Sequence, residues 1–240
     1  MKAVLNPNDP NVALLETVAR CLGEDLRQRL VFVGGAITGL LITDPAMPSI
    51  RPTQDVDLIA EVLARSDFYQ LEDLLKTRGF TPDLRPQAPI CRWQVDQVTV
   101  DVMPTLPGIL GFTNHWYELA VSTAQPVTLP SGTEINVVRA PVFVATKLEA
   151  FAGRGGGDHL FSHDLGDLLS VVDGRDALLD ECAQSPEKLQ TYLAQSFESL
   201  LTKRAFMEAL PGHLPSDHAS QERLPDLKAK LYRLAQRANP

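Results

Sequence analysis

Thirty acidic against 22 basic side chains in 240 residues give a formal charge of -8, which argues against a protein that holds nucleic acid mainly through its phosphates and against stable DNA binding. The composition, 44% hydrophobic and 22% charged, is that of a globular chain long enough to bury a sizeable core. No apolar run reaches the ~18 residues a membrane span needs, and MKAVLNPNDP has no apolar stretch of a secretory leader. Cys21, Cys91 and Cys182 are odd in number and far apart, so reduced thiols and a cytoplasmic setting are expected.

Val12, Leu15, Val18, Ala19, Leu22 and Leu26 recur at helical spacing and predict a helix over 11–29, entered through Asp9-Pro10. Leu30 to Val33 reads as a short buried strand, ended by Gly34-Gly35. A short helix follows over 36–42, then a loop over 43–53 with Pro45, Pro48 and Pro52, then a strand over 56–60. Ser66 is the expected cap of a helix over 66–77, and Gly79 its stop. Segments 90–95 and 98–103 form a predicted hairpin around Asp96-Gln97, and 126–138 another around Ser131-Gly132. Pro141 opens a helix running to about 152, and GRGGGD over 153–158 reads as a flexible loop. Ser162 caps the next helix, and the rest is helical with breaks near Pro186, Pro211 and Pro225. The pattern is a mixed α/β core, α+β in class, over 1–140, followed by a helical region over 141–240 packed on it.

Within that frame Asp55 and Asp57 are i and i+2 of a strand, so they share a face. Two carboxylates this close repel, and a divalent cation removes the conflict. Mg²⁺ takes oxygen ligands and leaves room for substrate phosphates. Asp101 lies on a strand whose other face carries Val98, Val100 and Val102. Three carboxylates on neighbouring strands could hold two cations about 3.5–4 Å apart, as in-line phosphoryl displacement uses. An isolated D-x-D triplet is more often a loop cap and a surface residue. The glycine pair upstream and Asp101 downstream shift the balance, because glycines after a strand let backbone N–H groups approach a phosphate. His159 and His163, four apart, have a zinc-compatible spacing but no third ligand nearby in sequence.

VGGAITGLL, RPTQDVDLI and VTVDVMP together resemble the polymerase-beta-type nucleotidyltransferase superfamily. ATKLEAF and SHDLGDLLSVV extend the likeness to its AbiEii/MenT-like branch, the nucleotidyltransferase toxins of toxin–antitoxin systems and their uncharacterised relatives. The resemblance covers about residues 30–175. It implies a polymerase-beta-like core with a mixed sheet flanked by helices, and transfer of a nucleoside monophosphate from an NTP to an acceptor hydroxyl. It implies that Asp55, Asp57 and Asp101 bind Mg²⁺, with Asp101 also helping activate the acceptor as a base. It gives Gly34, Gly35, Thr38, Arg51 and Lys147 to the phosphates, and Asp164, followed by Asp167, to orienting Lys147 or the acceptor. An antitoxin partner is implied by the branch, while the acceptor stays open among a small molecule, a tRNA end and a protein.

Two departures stand out. Ala36 occupies the place where the superfamily commonly carries Ser or Thr, with Thr38 as the substitute hydroxyl. The loop between Gly35 and Asp55 is longer than in minimal members. A catalytically degenerate nucleotide-binding or partner-binding module of the same fold is therefore the alternative. D-x-D also occurs in nucleotide-sugar glycosyltransferases and in haloacid dehalogenase phosphatases, but the latter need a strand running directly into the first aspartate, and here Arg51-Pro52-Thr53-Gln54 precedes it.

Overall fold

The computed structural model describes residues 5–111, 113–154 and 157–236. These divide into two compact units, one built from residues up to Leu40 and from Arg51–Arg139, the other from Leu41–Ile50 and the chain from Ala140 onward.

The first unit is a seven-stranded mixed sheet with helices. Helix α1, Pro10–Arg29, starts at Asp9, whose carboxylate accepts from the Asn11 and Val12 amides. It buries Leu15, Val18 and Leu22 and packs across the sheet strands β1, Leu30–Val33; β2, Asp55–Ala60; β5, Val98–Pro104; and β7, Glu134–Val137. It is not the single run that the apolar spacing predicts. Gly23, at φ 69° and ψ 175°, interrupts it in a backbone region that side chains avoid.

The remaining strands are β3, Thr81–Pro82; β4, Arg92–Val95; and β6, Gln125–Thr128; the order across the sheet is β3-β4-β5-β2-β1-β7-β6. The pair β2/β5 is parallel, as is β1/β7, and the other neighbours are antiparallel. Both predicted hairpins form. The first turns through Asp96 and Gln97, both at positive φ, as a two-residue turn of matching twist requires. The second turns near Gly132.

Helix α2, Thr38–Leu41, is a single turn preceded by the 3-10 turn Gly35–Ile37. Helix α3 spans Arg65–Thr77 and is not capped by Ser66. Asp67 does that work instead, its carboxylate accepting from the Leu63 and Ala64 amides. Helix α4, Tyr117–Ser122, follows the first hairpin and sets the Tyr117 hydroxyl 3.0 Å from the Met103 sulfur on β5.

The second unit is helical. Its helices are α5, Ala140–Arg154; α6, His163–Gly174; α7, Leu178–Ala183; α8, Glu187–Leu201; α9, Arg204–Ala209; α10, His218–Gln221; and α11, Leu224–Gln236. Ser162 caps α6 as predicted, accepting from the Leu165 amide. Pro225 does not break the chain, because it lies in the first turn of α11, where its missing N–H is not needed. Gly153 and Arg154 belong to α5, and residues 155–156 of the expected glycine loop lie outside the described residues.

Segment Leu41–Ile50, which the sequence places in the core, joins the helical unit. The Thr43 and Asp44 amides donate to the Gly174 carbonyl, and Arg175 donates to the Leu41 carbonyl. Arg223 bridges Asp44 and Asp173 at 2.7 Å each.

Candidate active site

The period-2 alternation of β2 and β5 divides their residues between two faces. Val56 and Leu58 on β2, with Val100 and Val102 on β5, are at most 1% exposed and fill one face. The parallel register pairs Asp55 with Thr99 and Asp57 with Asp101, so all four stand on the opposite face. The antiparallel register of the hairpin adds Arg92 opposite Asp101 and Gln94 opposite Thr99. The Gln94 amide donates to the Thr99 hydroxyl at 3.0 Å. Ile59 and Met103 close the far end of this face, both buried. The result is a polar patch on three adjacent strands, bounded by apolar packing.

The glycine turn is built around Asp57. Val33, the last residue of β1, pairs with Asp57, so Gly34 begins where the carboxylate stands. Gly34 has φ 72° and ψ -164°, a conformation essentially confined to glycine. A Cβ there would fall 1.8 Å from Asp57 Oδ2. The bare backbone of the turn and the Asp57 carboxylate therefore occupy adjoining space.

Asp55 is held from the side of its lead-in. The Thr53 hydroxyl donates to Asp55 Oδ1 at 2.7 Å. Asn11, 4% exposed at the start of α1, donates to the Arg51 carbonyl and accepts from the Thr53 amide. This fixes the path of the chain into β2. Asn11 was not legible as a site residue, because its contacts with Arg51 and Thr53 span 40 and 42 residues; Thr53 acts locally on Asp55 but belongs to none of the motifs.

Arg92 is the largest addition to the residues read from sequence. Its Nε and Nη2 donate to the two Asp101 oxygens at 2.8 and 2.7 Å, and Nη2 lies 3.9 Å from Asp55 Oδ2. This is the two-pronged geometry that makes guanidinium–carboxylate pairs strong. The hydrogen bonds to Asp101 push the guanidinium further above its ordinary range, aided by the charges of Asp101 and Asp55. The neighbouring Cys91 thiol is pushed up to about 12, first by burial and then by the negative charge of Asp101, so it stays protonated at neutral pH.

Other expected phosphate contacts fare differently. Gly35 sits at the start of the 3-10 turn and is buried. The helix beyond is a single turn, so little dipole stands behind the glycines. Ala36 is 2% exposed and Thr38 0%, and the Thr38 hydroxyl has no hydrogen-bond partner. Thr38 is thus beneath the surface and does not present its hydroxyl to a phosphate in this conformation. Arg51 lies in the lead-in to β2 with its side chain partly buried.

Lys147 and Asp164 lie in the helical unit and form a network there. Lys147 Nζ on α5 is 3.2 Å from Asp164 Oδ1 and 2.7 Å from Asp167 Oδ2 on α6, and all three side chains are at most 9% exposed. The expected partnership of Lys147 with Asp164 is present, and Asp167 is the nearer partner. Nearby, the His159 ring packs against Phe151 and Phe206 with its Nδ1 unpartnered.

Asp55 and Asp57, side by side on one face with the glycine backbone beside them, suit an oxygen-preferring cation such as Mg²⁺. Asp101, expected from the sequence to complete a second site, is engaged here by Arg92. Both its oxygens already accept from Arg92, and among the described residues no group of three or more His, Cys, Asp or Glu side chains converges at metal-binding distance.

No family model matches the chain, and no curated protein matches it. Similar solved structures include the antibiotic-resistance factor ANT(2'')-Ia, 13% identical over 78% of this chain and 91% of that one, with a TM-score of 0.44. A candidate nucleotidyltransferase of H. pylori is 10% identical over 98% and 97% of the two chains, at 0.45. JHP933 from Helicobacter pylori is 11% identical over 98% and 95%, at 0.47. At such identities and scores the likeness carries no chemistry, and the functional reading stands on the residues.

Proposed function

We propose that the chain is a polymerase-beta-like nucleotidyltransferase that moves a nucleoside monophosphate from an NTP to an acceptor hydroxyl and releases pyrophosphate. The observation that carries this is the abutment of Gly34 on Asp57, with Asp55 beside it on the same strand face. A phosphate chain needs backbone it can approach closely and a place for its counter-ion, and here the two share one spot. Mg²⁺ at Asp55 and Asp57 would screen the carboxylates from the triphosphate and stabilise the charge that develops on the leaving pyrophosphate. Thr53 orients Asp55, Gly34 leaves the room that Asp57 occupies, and Asn11 sets the strand entry. The wider placement among AbiEii/MenT-like toxins, with an antitoxin partner, rests on the motif run through RPTQDVDLI, ATKLEAF and SHDLGDLLSVV. The surplus of acidic side chains favours a small or protein acceptor over a bulky RNA.

The test is transfer of label from each radiolabelled NTP, with Mg²⁺, into total RNA, cell protein or small hydroxyl compounds. The wild type transfers label, and Asp57→Asn lowers the rate at least a hundredfold. Undiminished transfer by Asp57→Asn would remove the aspartates from the reaction.

A second reading has observations in its favour. Ala36 stands where a hydroxyl is usual, and Arg92 closes off Asp101. A nucleotide-binding module without turnover fits both. Tight NTP binding with no transfer to any acceptor class would select it.

A further inference from the structure

Arg92 belongs to none of the motifs, yet its guanidinium stands on the polar face among the carboxylates. The strand registers set Val33, Asp57, Asp101 and Arg92 level with one another across β1, β2, β5 and β4. From the outer strand the Arg92 side chain reaches back over β5, where Nε and Nη2 donate to the two Asp101 oxygens and Nη2 lies 3.9 Å from Asp55 Oδ2. Two strand spacings, about 10 Å, separate β5 from β1 and the glycine turn. A triphosphate seated at that turn extends far enough to meet the guanidinium.

The pair is well formed but not sealed. Its backbone is fixed, since the Arg92 amide donates to the Pro89 carbonyl and the Asp83 amide donates to the Arg92 carbonyl. The side chains of Arg92 and Asp101 remain 26% and 12% exposed, so an anion from solvent has access to the fork. A planar guanidinium fits phosphate oxygens in the same two-pronged way as a carboxylate, and a triphosphate brings more negative charge than the single Asp101. While the pair stays closed, both Asp101 oxygens are occupied, and neither is open to an acceptor hydroxyl.

We propose that Arg92 is a phosphate-binding residue parked on Asp101, and that an arriving triphosphate takes over its fork and releases Asp101. The proposal rests on the nucleotidyl-transfer reading and deepens it: Asp101 becomes available only when the nucleotide is in place. No bond is made or broken in the exchange. A partner that holds the fork in the empty protein lowers the apparent affinity for an anion by the fraction of time the fork is free. Neutralising Asp101 removes that penalty.

The experiment is a double-mutant cycle read by titration calorimetry on the full chain, with metal-free inorganic tripolyphosphate as the probe at fixed ionic strength. Asp101→Asn also deletes a negative charge, which favours any anion, and the cycle subtracts that contribution. With Arg92 present, Asp101→Asn tightens tripolyphosphate binding by about tenfold or more. In the Arg92→Gln background the same change tightens it by about threefold or less. Thermal melts check that each variant is folded. Should Arg92→Gln fail to fold, Arg92→Lys, which keeps the charge without the fork, takes its place and the gain again shrinks; Asp101→Ser does the same for Asp101→Asn. Equal tightening in both backgrounds, no tightening with Arg92 present, or no binding to Asp101→Asn at millimolar probe would each overturn the proposal. The two readings fail separately. Label transfer by the wild type without the coupling would overturn the role of Arg92 alone, whereas the coupling without transfer to any acceptor would overturn the enzymatic reading alone.

Discussion

Gly34 and Asp57 constrain each other at the scale of single atoms. Gly34→Ala places a methyl group inside the Asp57 carboxylate and forces a side chain into a glycine-only region of backbone space, at a cost of about 1–3 kcal/mol. Urea melts should show that loss, and label transfer should fall with it as Asp57 is pushed aside. A variant with the wild-type midpoint and wild-type transfer would mean that the turn and the carboxylate are independent. The sequence carried the pair Asp55 and Asp57, because strand parity alone puts them on one face. It also contained the signal for Arg92. With a two-residue turn at Asp96-Gln97, counting back from Val95 opposite Val98 places Arg92 opposite Asp101. Asn11 gave no such signal, since its partners Arg51 and Thr53 lie on another segment.

At the scale of elements, two networks organise the helical unit. Lys147 joins α5 to α6 through Asp164 and Asp167. Lys147→Ala removes a counter-charge 3.2 and 2.7 Å from two buried carboxylates, so it should cost roughly 3–5 kcal/mol, measured as a shift of the denaturation midpoint. A change under 1 kcal/mol would free Lys147 for a different role, such as the phosphate contact implied by the family resemblance. The second network ties segment Leu41–Ile50 to α6 and α11 through Asp44, Asp173 and Arg223. The Ala46 amide, and after it Arg223, hold the Asp44 carboxyl below its ordinary range. A carboxyl lowered on folding adds stability above its unfolded value near pH 4 and loses it as pH falls through the folded value. Asp44→Asn should therefore be about 1–2 kcal/mol less stable than the wild type at pH 7, and the gap should close as the pH falls below about 4. A gap independent of pH would assign the loss to packing. Elements with strong periodicity were legible, and their ends were less so. Ser66 looked like a cap, yet Asp67 reaches back to the free amides. Apolar spacing could not reveal the break at Gly23, because the apolar face continues through it.

For the whole molecule, the mixed sheet followed by helices was readable from the change of period along the chain. The transfer of Leu41–Ile50 to the helical unit was not, since it depends on backbone bonds to Gly174 that no local pattern encodes. The site was readable as far as one face of two strands and a glycine turn. The place of Arg92 opposite Asp101 follows from the hairpin register and not from any motif spacing. The central claim is that these residues handle the α-phosphate of an NTP. The most direct measurement follows two labels with the full chain, Mg²⁺ and an acceptor mixture. Label at the α-phosphate should appear on the acceptor while label at the γ-phosphate leaves as pyrophosphate, and Asp57→Asn should abolish both. Transfer of the γ-label to the acceptor, or release of it as inorganic phosphate with the α-label still on the nucleotide, would contradict the account.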